Sequence, residues 1–519
     1  MLADDLGFND ISLNGSPQIP TRHIDALAAR GATLRNFYVQ PVCSPTRASL
    51  MTGRHVIHTG VYDAFGDGLD DEHLNTSYTL LPGYLKRAAN YTTAMLGKWH
   101  LGANTVSATP IGRGFDTHFG FYVGNEDHVT HMVDGKTPMY DFSDDAAPST
   151  YRVAPAFRGE DSTPAFAARV VELLGAHAAG GAASPPLFLY VAWQDTHIPL
   201  QAPDSYVQRF LNTTGGSKQR AVLCAMAALL DEAVGNVTAA VDALGLAPNT
   251  IIVFHSDNGG PVSGEWEGEA QSSNYPLRGG KFTLWQGGVK ATALVAGPGV
   301  PAGSVVDAPV HVTDWLPTLV AAATGGGDFR QWAPPGEPPY QEGDGVDVWD
   351  TVTGAARAPQ RKWVLLEVGA GFPAPALHGH GLIVGDMKLV AVTNRSNNPL
   401  SDGWFPPPGQ DVNATPYTTR CGAPLRNGTA AKPCVTNRAA PALCLFNLTA
   451  DPCEYNDVSE QFPDVLKNMS ALLGSLALTA THNNSWPSGC LPAMLPVSFP
   501  DGSKPAHWWL PCDAPAPPA

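Results

Sequence analysis

The chain contains no run of about twenty apolar residues, so hydropathy offers no membrane-spanning helix. Positive charge is scarce: 31 Lys and Arg face 47 Asp and Glu across 519 residues, a net charge of −16 at pH 7. That balance argues against nucleic acid or an anionic membrane as a general partner, and against broad electrostatic capture of a polyanion. Any anionic ligand must be held by a local basic pocket. Cysteine is sparse, with eight residues, six of them after position 420. Their spacings match no zinc pattern. No secretory leader precedes Asp4, and no internal repeat is present.

What is present reads as an α/β chain. Residues 1 to about 370 alternate strand-like and helix-like segments. Ser217 to Leu246 carries apolar residues at helical spacing. Trp332 to Gly345 is rich in proline and glycine and reads as a loop. From about Gly371 the composition shifts. Leu382 to Val392 reads as a hairpin with Gly385-Asp386 near its turn. The expected division is 1–370 and 371–519, the second part ending in a Pro/Ala-rich tail, Asp513 to Ala519.

Polar groups with chemical potential sit at the ends of several strand-like runs. Asp4 and Asp5 follow an apolar stub. Thr250-Ile-Ile-Val-Phe254 reads as a buried strand running into Asp257 and Asn258, with Gly259 and Gly260 permitting a tight turn. In α/β sheets ligands collect beyond the carboxyl ends of strands. Four oxygen donors from two such ends suit a hard cation and not zinc. Tyr91 to Gly97 leads to Lys98 and His100, which alternation places on one side of an extended chain. Leu187 to Trp193 leads to His197, and a glycine-rich stretch carries Lys281. Singly, each has a blander reading: a solvated turn, surface decoration or a plain loop.

The most specific feature is Cys43-Ser-Pro-Thr-Arg-Ala-Ser-Leu-Met-Thr-Gly-Arg54. Alone, Cys43 could be a buried inert thiol at a helix start. The twelve-residue run, with Gly97-Lys-Trp-His-Leu-Gly102 and the groups above in the same order, resembles the sulfatase family. The resemblance covers nearly the whole chain and lies nearest the arylsulfatase B (N-acetylgalactosamine-4-sulfatase) branch. It implies a large mixed sheet flanked by helices, alkaline-phosphatase-like, plus a smaller C-terminal antiparallel-sheet domain with a helix, for which Phe462 to Leu478 is the candidate.

In that family the cysteine is oxidised to formylglycine, whose hydrate attacks sulfur and forms a covalent sulfo-enzyme. The resemblance implies that Asp4, Asp5, Asp257, Asn258 and the formylglycine from Cys43 hold one Ca2+ per chain. It implies that Arg47 holds the formylglycine and that His100 is the base of its hydrate. Lys98, His197 and Lys281 grip the sulfate, the last two serving the leaving oxygen. The implied partners are a sulfated sugar or aryl sulfate and, during biosynthesis, a formylglycine-generating enzyme. Competing readings are a phosphoester or phosphonate hydrolase of the same superfamily, and an inactive glycan-binding glycoprotein if Cys43 stays unconverted.

Eleven Asn-x-Ser/Thr sequons, at Asn14, Asn75, Asn90, Asn212, Asn236, Asn394, Asn413, Asn427, Asn447, Asn468 and Asn483, point to the secretory pathway, with a lysosomal or extracellular destination. Chance predicts on the order of three. Cys421, Cys434, Cys444, Cys453, Cys490 and Cys512 read as up to three disulfides, their pairing open, and Cys224 as a buried helix thiol. Because such a protein needs a leader and relatives carry a fuller first strand, the expectation is an N-terminally incomplete sequence. Were Met1 the true start, conversion of Cys43 would be in doubt. The acidic stretch Gly264 to Asn274, with Glu265, Glu267 and Glu269, is unlike a polyanion groove, which leaves a small aryl or sugar sulfate open. Oligomeric state is not legible.

Overall fold

The computed structural model describes residues 1–66, 72–133, 139–146, 152–262, 271–356, 358–369, 377–393, 403–411, 419, 421, 434–436, 443–481, 493–497, 499 and 506–511. The acidic segment around Glu265, Glu267 and Glu269, the sequons Asn394, Asn413, Asn427 and Asn483, Cys490, Cys512 and the tail Asp513 to Ala519 lie outside them.

A nine-stranded sheet forms the centre. Its order is Ser304–Val306, Ala32–Leu34, Ala293–Ala296, Ile252–Ser256, Leu2–Ala3, Leu187–Ala192, Thr92–Lys98, Thr117–Phe121 and Ser143–Ala146. The five strands from Ile252–Ser256 to Thr117–Phe121 are mutually parallel. Antiparallel pairs flank them on both sides. Thr92–Lys98 is buried at every position after its first, as expected of a strand covered on both faces. One group of helices, Arg22–Ala29, Ser162–Gly180 and Lys218–Ala243, packs together against the sheet. A second, Cys43–Thr52, Leu81–Ala89 and Trp315–Thr324, forms another such layer. Lys218–Ala243 is long and apolar enough to cross a membrane by length and composition, yet 78% of its apolar window is buried inside the protein, so it reads as a core helix.

The hairpin expected at Leu382 to Val392 is present as Gly379–Val384 and Met387–Thr393. With Trp363–Glu367 and Cys444–Asn447 it forms a small antiparallel sheet, to which Val435–Thr436 adds a parallel strand. Alternation gives this sheet two apolar faces. Leu365, Leu382, Leu389 and Leu445 pack on Met469 and Leu473 of the Pro463–Ala477 helix. Val364, Leu366, Ile383, Val390 and Phe446 pack on Leu284, Trp285 and Val289 of the first part of the chain. The last hairpin, Ala493–Val497 with Ala506–Leu510, also reaches back and pairs with Met139–Tyr140. Disulfides join Cys421 to Cys453 and Cys434 to Cys444, while Cys43 and Cys224 are free and buried.

A buried ion pair ties the second sheet to the turn that leads into the Trp315–Thr324 helix. Arg361, just before Trp363–Glu367, donates from Nε to Asp314 Oδ2 at 2.8 Å and from its terminal nitrogens to Asp314 Oδ1, to Thr313 Oγ1 at 3.2 Å and to Asp344 O at 3.1 Å. Removing one partner leaves a buried charge unpaired. Arg361→Ala should therefore cost about 3–5 kcal/mol in denaturant unfolding, whereas a loss below about 1 kcal/mol would show the pair to be dispensable.

Candidate active site

The five parallel strands all point their carboxyl ends one way, and four of those ends deliver site residues. Ala3 is followed by Asp4 and Asp5, Ser256 by Asp257 and Asn258, and Ala192 by the segment reaching His197. Lys98 closes its strand, with His100 two residues on. Cys43 opens the helix Cys43–Thr52, so it lies in the first turn, and Arg47 is one turn further along. Backbone bonds from Asp4 N to Asp195 O at 2.9 Å and Asp257 N to Ala3 O at 3.0 Å lock the acidic ends together.

The predicted residues converge. Cys43 Sγ donates to Asp4 Oδ1 at 3.5 Å, and Lys98 Nζ donates to Asp4 Oδ2 at 2.5 Å. Arg47 donates to Asp257 Oδ2 at 2.8 Å and to Lys98 O at 3.0 Å, and lies 3.5 Å from Asp4 Oδ2. Lys281 Nζ donates to Asp5 at 2.8 Å and faces His197 Nε2 at 3.3 Å. Asn258 Nδ2 donates to Asp5 Oδ1 at 2.7 Å. All these groups are buried; His197 at 8% and His100 at 5% are the most exposed, so the site opens on their side.

The environment sets protonation. Burial pushes the Cys43 thiol well up despite Lys281 and Lys98 nearby, so a bare thiolate is disfavoured there. Burial, reinforced by Lys98, holds His100 well below its usual range, and burial with Lys281 does the same to His197. Both imidazoles are therefore neutral. His100 Nε2 pairs with Phe65 O at 2.9 Å and must carry the hydrogen, which leaves the buried, unbonded Nδ1 as a free lone pair. His197 Nδ1 donates to Ile198 O at 2.7 Å, which turns its Nε2 lone pair toward the Lys281 ammonium. Burial works against that ammonium, but Asp5 holds its pKa above the usual lysine value. Burial likewise opposes the Asp5 carboxylate, and the Lys281 ammonium keeps its pKa low.

The oxygen set fits a hard divalent cation. Asn258 Oδ1 is buried and accepts no hydrogen bond while its own nitrogen is engaged with Asp5 and Gly259 O. An acceptor with no donor beside three carboxylates is what a calcium-type site uses. Ligand atoms of Asp4, Asp5, Cys43 and His197 lie within 4.8 Å of one another. His197 falls in that group, but its lone pair faces Lys281 and nitrogen is a poor ligand for such ions.

Two local expectations differ from the structure. The strand ends at Lys98 and His100 takes a left-handed backbone, φ 56°, so its ring is placed by a turn and not by strand alternation. Neither Gly259 nor Gly260 has positive φ. Gly259 is needed for close approach, since a Cβ there would lie 1.7 Å from Gly287 O. Sequence reasoning missed the supports. Asn274 bonds Phe8 N, Gly260 N, Gly260 O and Gly279 O, tying three site loops with one side chain. Gln194 accepts from Glu126 N at 3.2 Å and donates to Glu126 O, and Gln201 Oε1 accepts from His128 N at 2.8 Å, stitching the loop after Phe121 to the loop of His197. No local pattern announces such residues, because their role is set by partners far away in sequence.

A family model described as Sulfatase matches residues 1–326. Arylsulfatase J of Mus musculus is 34% identical over 493 residues, covering 92% of this chain and 75% of that protein. N-acetylgalactosamine-6-sulfatase of Mus musculus is 31% identical over 340 residues, 62% of this chain and 61% of that protein. Among solved structures, Ps i-CgsB shares the fold with a TM-score of 0.72 at 24% identity, over 94% of this chain and 93% of that one. Profile, relatives and the parallel-strand architecture agree, and the chain belongs to the sulfatase family as a sulfatase enzyme.

Proposed function

We propose that this enzyme hydrolyses the sulfate ester of a sulfated sugar or aryl sulfate, with formylglycine made from Cys43 as nucleophile and one Ca2+ as its metal. The observation that carries the reading is the convergence on a buried Cys43 of three carboxylates, one amide oxygen without a donor, three cations and two neutral imidazoles. A thiol raised by burial is a weak nucleophile, so an unconverted Cys43 is poorly suited to attack sulfur itself. An aldehyde hydrate at that position supplies a hydroxyl to attack sulfur and a second whose deprotonation expels the sulfate. A bound Ca2+ would polarise that hydroxyl and the sulfate oxygens. Asp4, Asp5, Asp257 and Asn258 would hold it.

Geometry and charge support the remaining roles as follows. His100 Nδ1, neutral and unbonded, takes the hydroxyl proton. Arg47 and Lys98 fix positive charge beside residue 43. Lys281, bonded to Asp5 and turned to His197 Nε2, delivers a proton to the leaving oxygen, and His197 shares it. A sugar is favoured by the names of N-acetylgalactosamine-6-sulfatase and of Ps i-CgsB solved with k-i-k-neocarrahexaose.

A catalytic part to about residue 370 and a C-terminal part from 371 remain our division of the chain. Modification of Cys43 by a formylglycine-generating enzyme implies passage through the secretory pathway, towards a lysosome or the exterior. Exposed sequons at Asn90, Asn212, Asn236 and Asn468 are compatible with that route. Asn14 is not a glycan site in the folded state, because it is buried and its nitrogen donates to Phe8 O at 2.8 Å and Thr292 Oγ1 at 2.7 Å.

Two outcomes test the reading. Peptide mass spectrometry of secreted protein should find the aldehyde at position 43. Cys43→Ser should take up sulfate from an aryl sulfate and retain it as a covalent adduct without turnover; sustained turnover by that variant would contradict the scheme. Separately, adding saturating Ca2+ to chelator-treated protein should stabilise it by about 2–3 kcal/mol. Asn258→Ala should lose most of that gain, and an undiminished gain in the variant would place the ion elsewhere.

A further inference from the structure

Lys281 is presented by a loop that closes on itself, since Gly287 N donates to Arg278 O at 2.7 Å. Glu454, from the C-terminal part, grips both ends of that loop. Its carbonyl accepts from Arg278 Nη1 at 3.1 Å, and its carboxylate accepts from Gln286 N at 2.7 Å. A left-handed backbone, φ 57°, accompanies this two-ended grip and is costly for a residue with a long side chain. Lys388 Nζ pairs with the same carboxylate at 2.6 Å and donates to Leu284 O at 2.7 Å. The pair therefore fixes the backbone on both sides of Trp285. Glu454 and Lys388 are both buried. Burial raises the Glu454 carboxyl and lowers the Lys388 ammonium, so the pair contributes little net stability. Gly279 N donates to Gly403 O at 2.8 Å, and Trp404 Nε1 donates to Cys453 O at 2.8 Å, which adds a further hold beside Glu454. Within the loop, Thr283 N donates to Gly280 O at 3.1 Å and Thr283 Oγ1 donates to the same oxygen at 2.7 Å, closing the turn that carries Lys281.

We propose that Glu454, together with Lys388, is a positioning residue that holds the Lys281 ammonium at the leaving oxygen during cleavage of the sulfate ester. The inference rests on the role given to Lys281 above. The anchors act on backbone atoms of Leu284 and Gln286, and the tight turn at Gly280–Thr283 passes the constraint to Lys281. A catalytic group misplaced by about 1 Å can lose on the order of 10²-fold in rate. The loss should fall on esters whose leaving oxygen needs a proton, such as those of sugar alcohols. A nitrophenolate departs readily as an anion and should feel it little.

The test is a double-mutant cycle read with two esters, galactose 6-sulfate and 4-nitrophenyl sulfate. Glu454→Gly deletes the carboxylate and tolerates positive φ. Glu454→Gly combined with Lys388→Met removes both charges, and is read in its place if the unpaired ammonium prevents folding. Rates are referred to folded protein measured by circular dichroism. In Glu454→Gly the kcat for galactose 6-sulfate should fall about tenfold or more, while that for 4-nitrophenyl sulfate stays within about threefold. In a Lys281→Ala background the same substitution should change kcat for the sugar ester by less than about twofold, because the group it positions is gone. Equal losses on both esters, a loss that persists beside Lys281→Ala, or unchanged kcat for the sugar ester overturns the proposal. A Lys281→Ala enzyme that keeps full activity on the sugar ester overturns instead the proton-delivery role of Lys281.

Discussion

Charge compensation at the carboxyl ends of the central strands is the constraint on which the rest of the structure depends. Asp4, Asp5 and Asp257 place three carboxylates in a volume closed to water, and Arg47, Lys98 and Lys281 answer them with three cations. Buried charges persist only when paired and hydrogen-bonded. The protein's own ionic groups thus sum to zero at the site, with both histidines neutral. On the proposed reading, the two charges of a bound divalent ion would then be left over to meet an anionic ester and the negative charge that develops during attack. A chain with a net charge of −16 can in this way hold an anion without a basic surface.

Backbone strain is concentrated in the same region. Among the described residues, six non-glycines have positive φ: Asp5, Asn90, His100, His131, Phe282 and Glu454. Asn90 is an ordinary helix terminus. The others are at the site or support it. Asp5 and His100 are predicted site residues, Phe282 adjoins Lys281, and His131 bonds Glu126 at 3.0 Å in the loop stitched to Gln194. Glu454 belongs to the C-terminal part, yet it accepts from Gln286 N at 2.7 Å, pairs with Lys388 at 2.6 Å and receives Arg278 at its carbonyl at 3.1 Å. Arg278 stacks 3.6 Å from Trp285. The second sheet therefore serves the chemistry at a distance, by gripping both ends of the loop that presents Lys281.

The parts of this arrangement that were legible in sequence are those with local signatures. Strand runs ending in Asp257-Asn258 or His197 can be read because apolar β-branched runs and their polar ends are contiguous. The Cys43 run and Gly97-Lys-Trp-His-Leu-Gly102 could be matched because twelve and six consecutive residues carry them. The hairpin at Gly385-Asp386 follows from turn chemistry, and the Pro463–Ala477 helix was expected from the family resemblance. Alternation misplaced the reasoning for His100, because it assumed the strand continued past Lys98. Asn274, Gln194, Gln201 and Glu454 were invisible for a different reason. Each works mainly through partners between 14 and 266 positions away, and nothing in their immediate neighbours marks them. The return of Ala506–Leu510 to Met139–Tyr140 is hidden in the same way.

The central claim is that one hard ion and one oxidised carbon share the pocket bounded by those balanced charges. A crystal structure of secreted protein grown with Ca2+ and sulfate tests it most directly. The account predicts a single ion at about 2.3–2.6 Å from oxygens of Asp4, Asp5, Asp257 and Asn258. It also predicts an oxygen in place of Sγ at residue 43, with sulfate between that oxygen and Lys281. An intact thiol facing an ion-free set of salt bridges, or an ion bound away from Asn258, would contradict it.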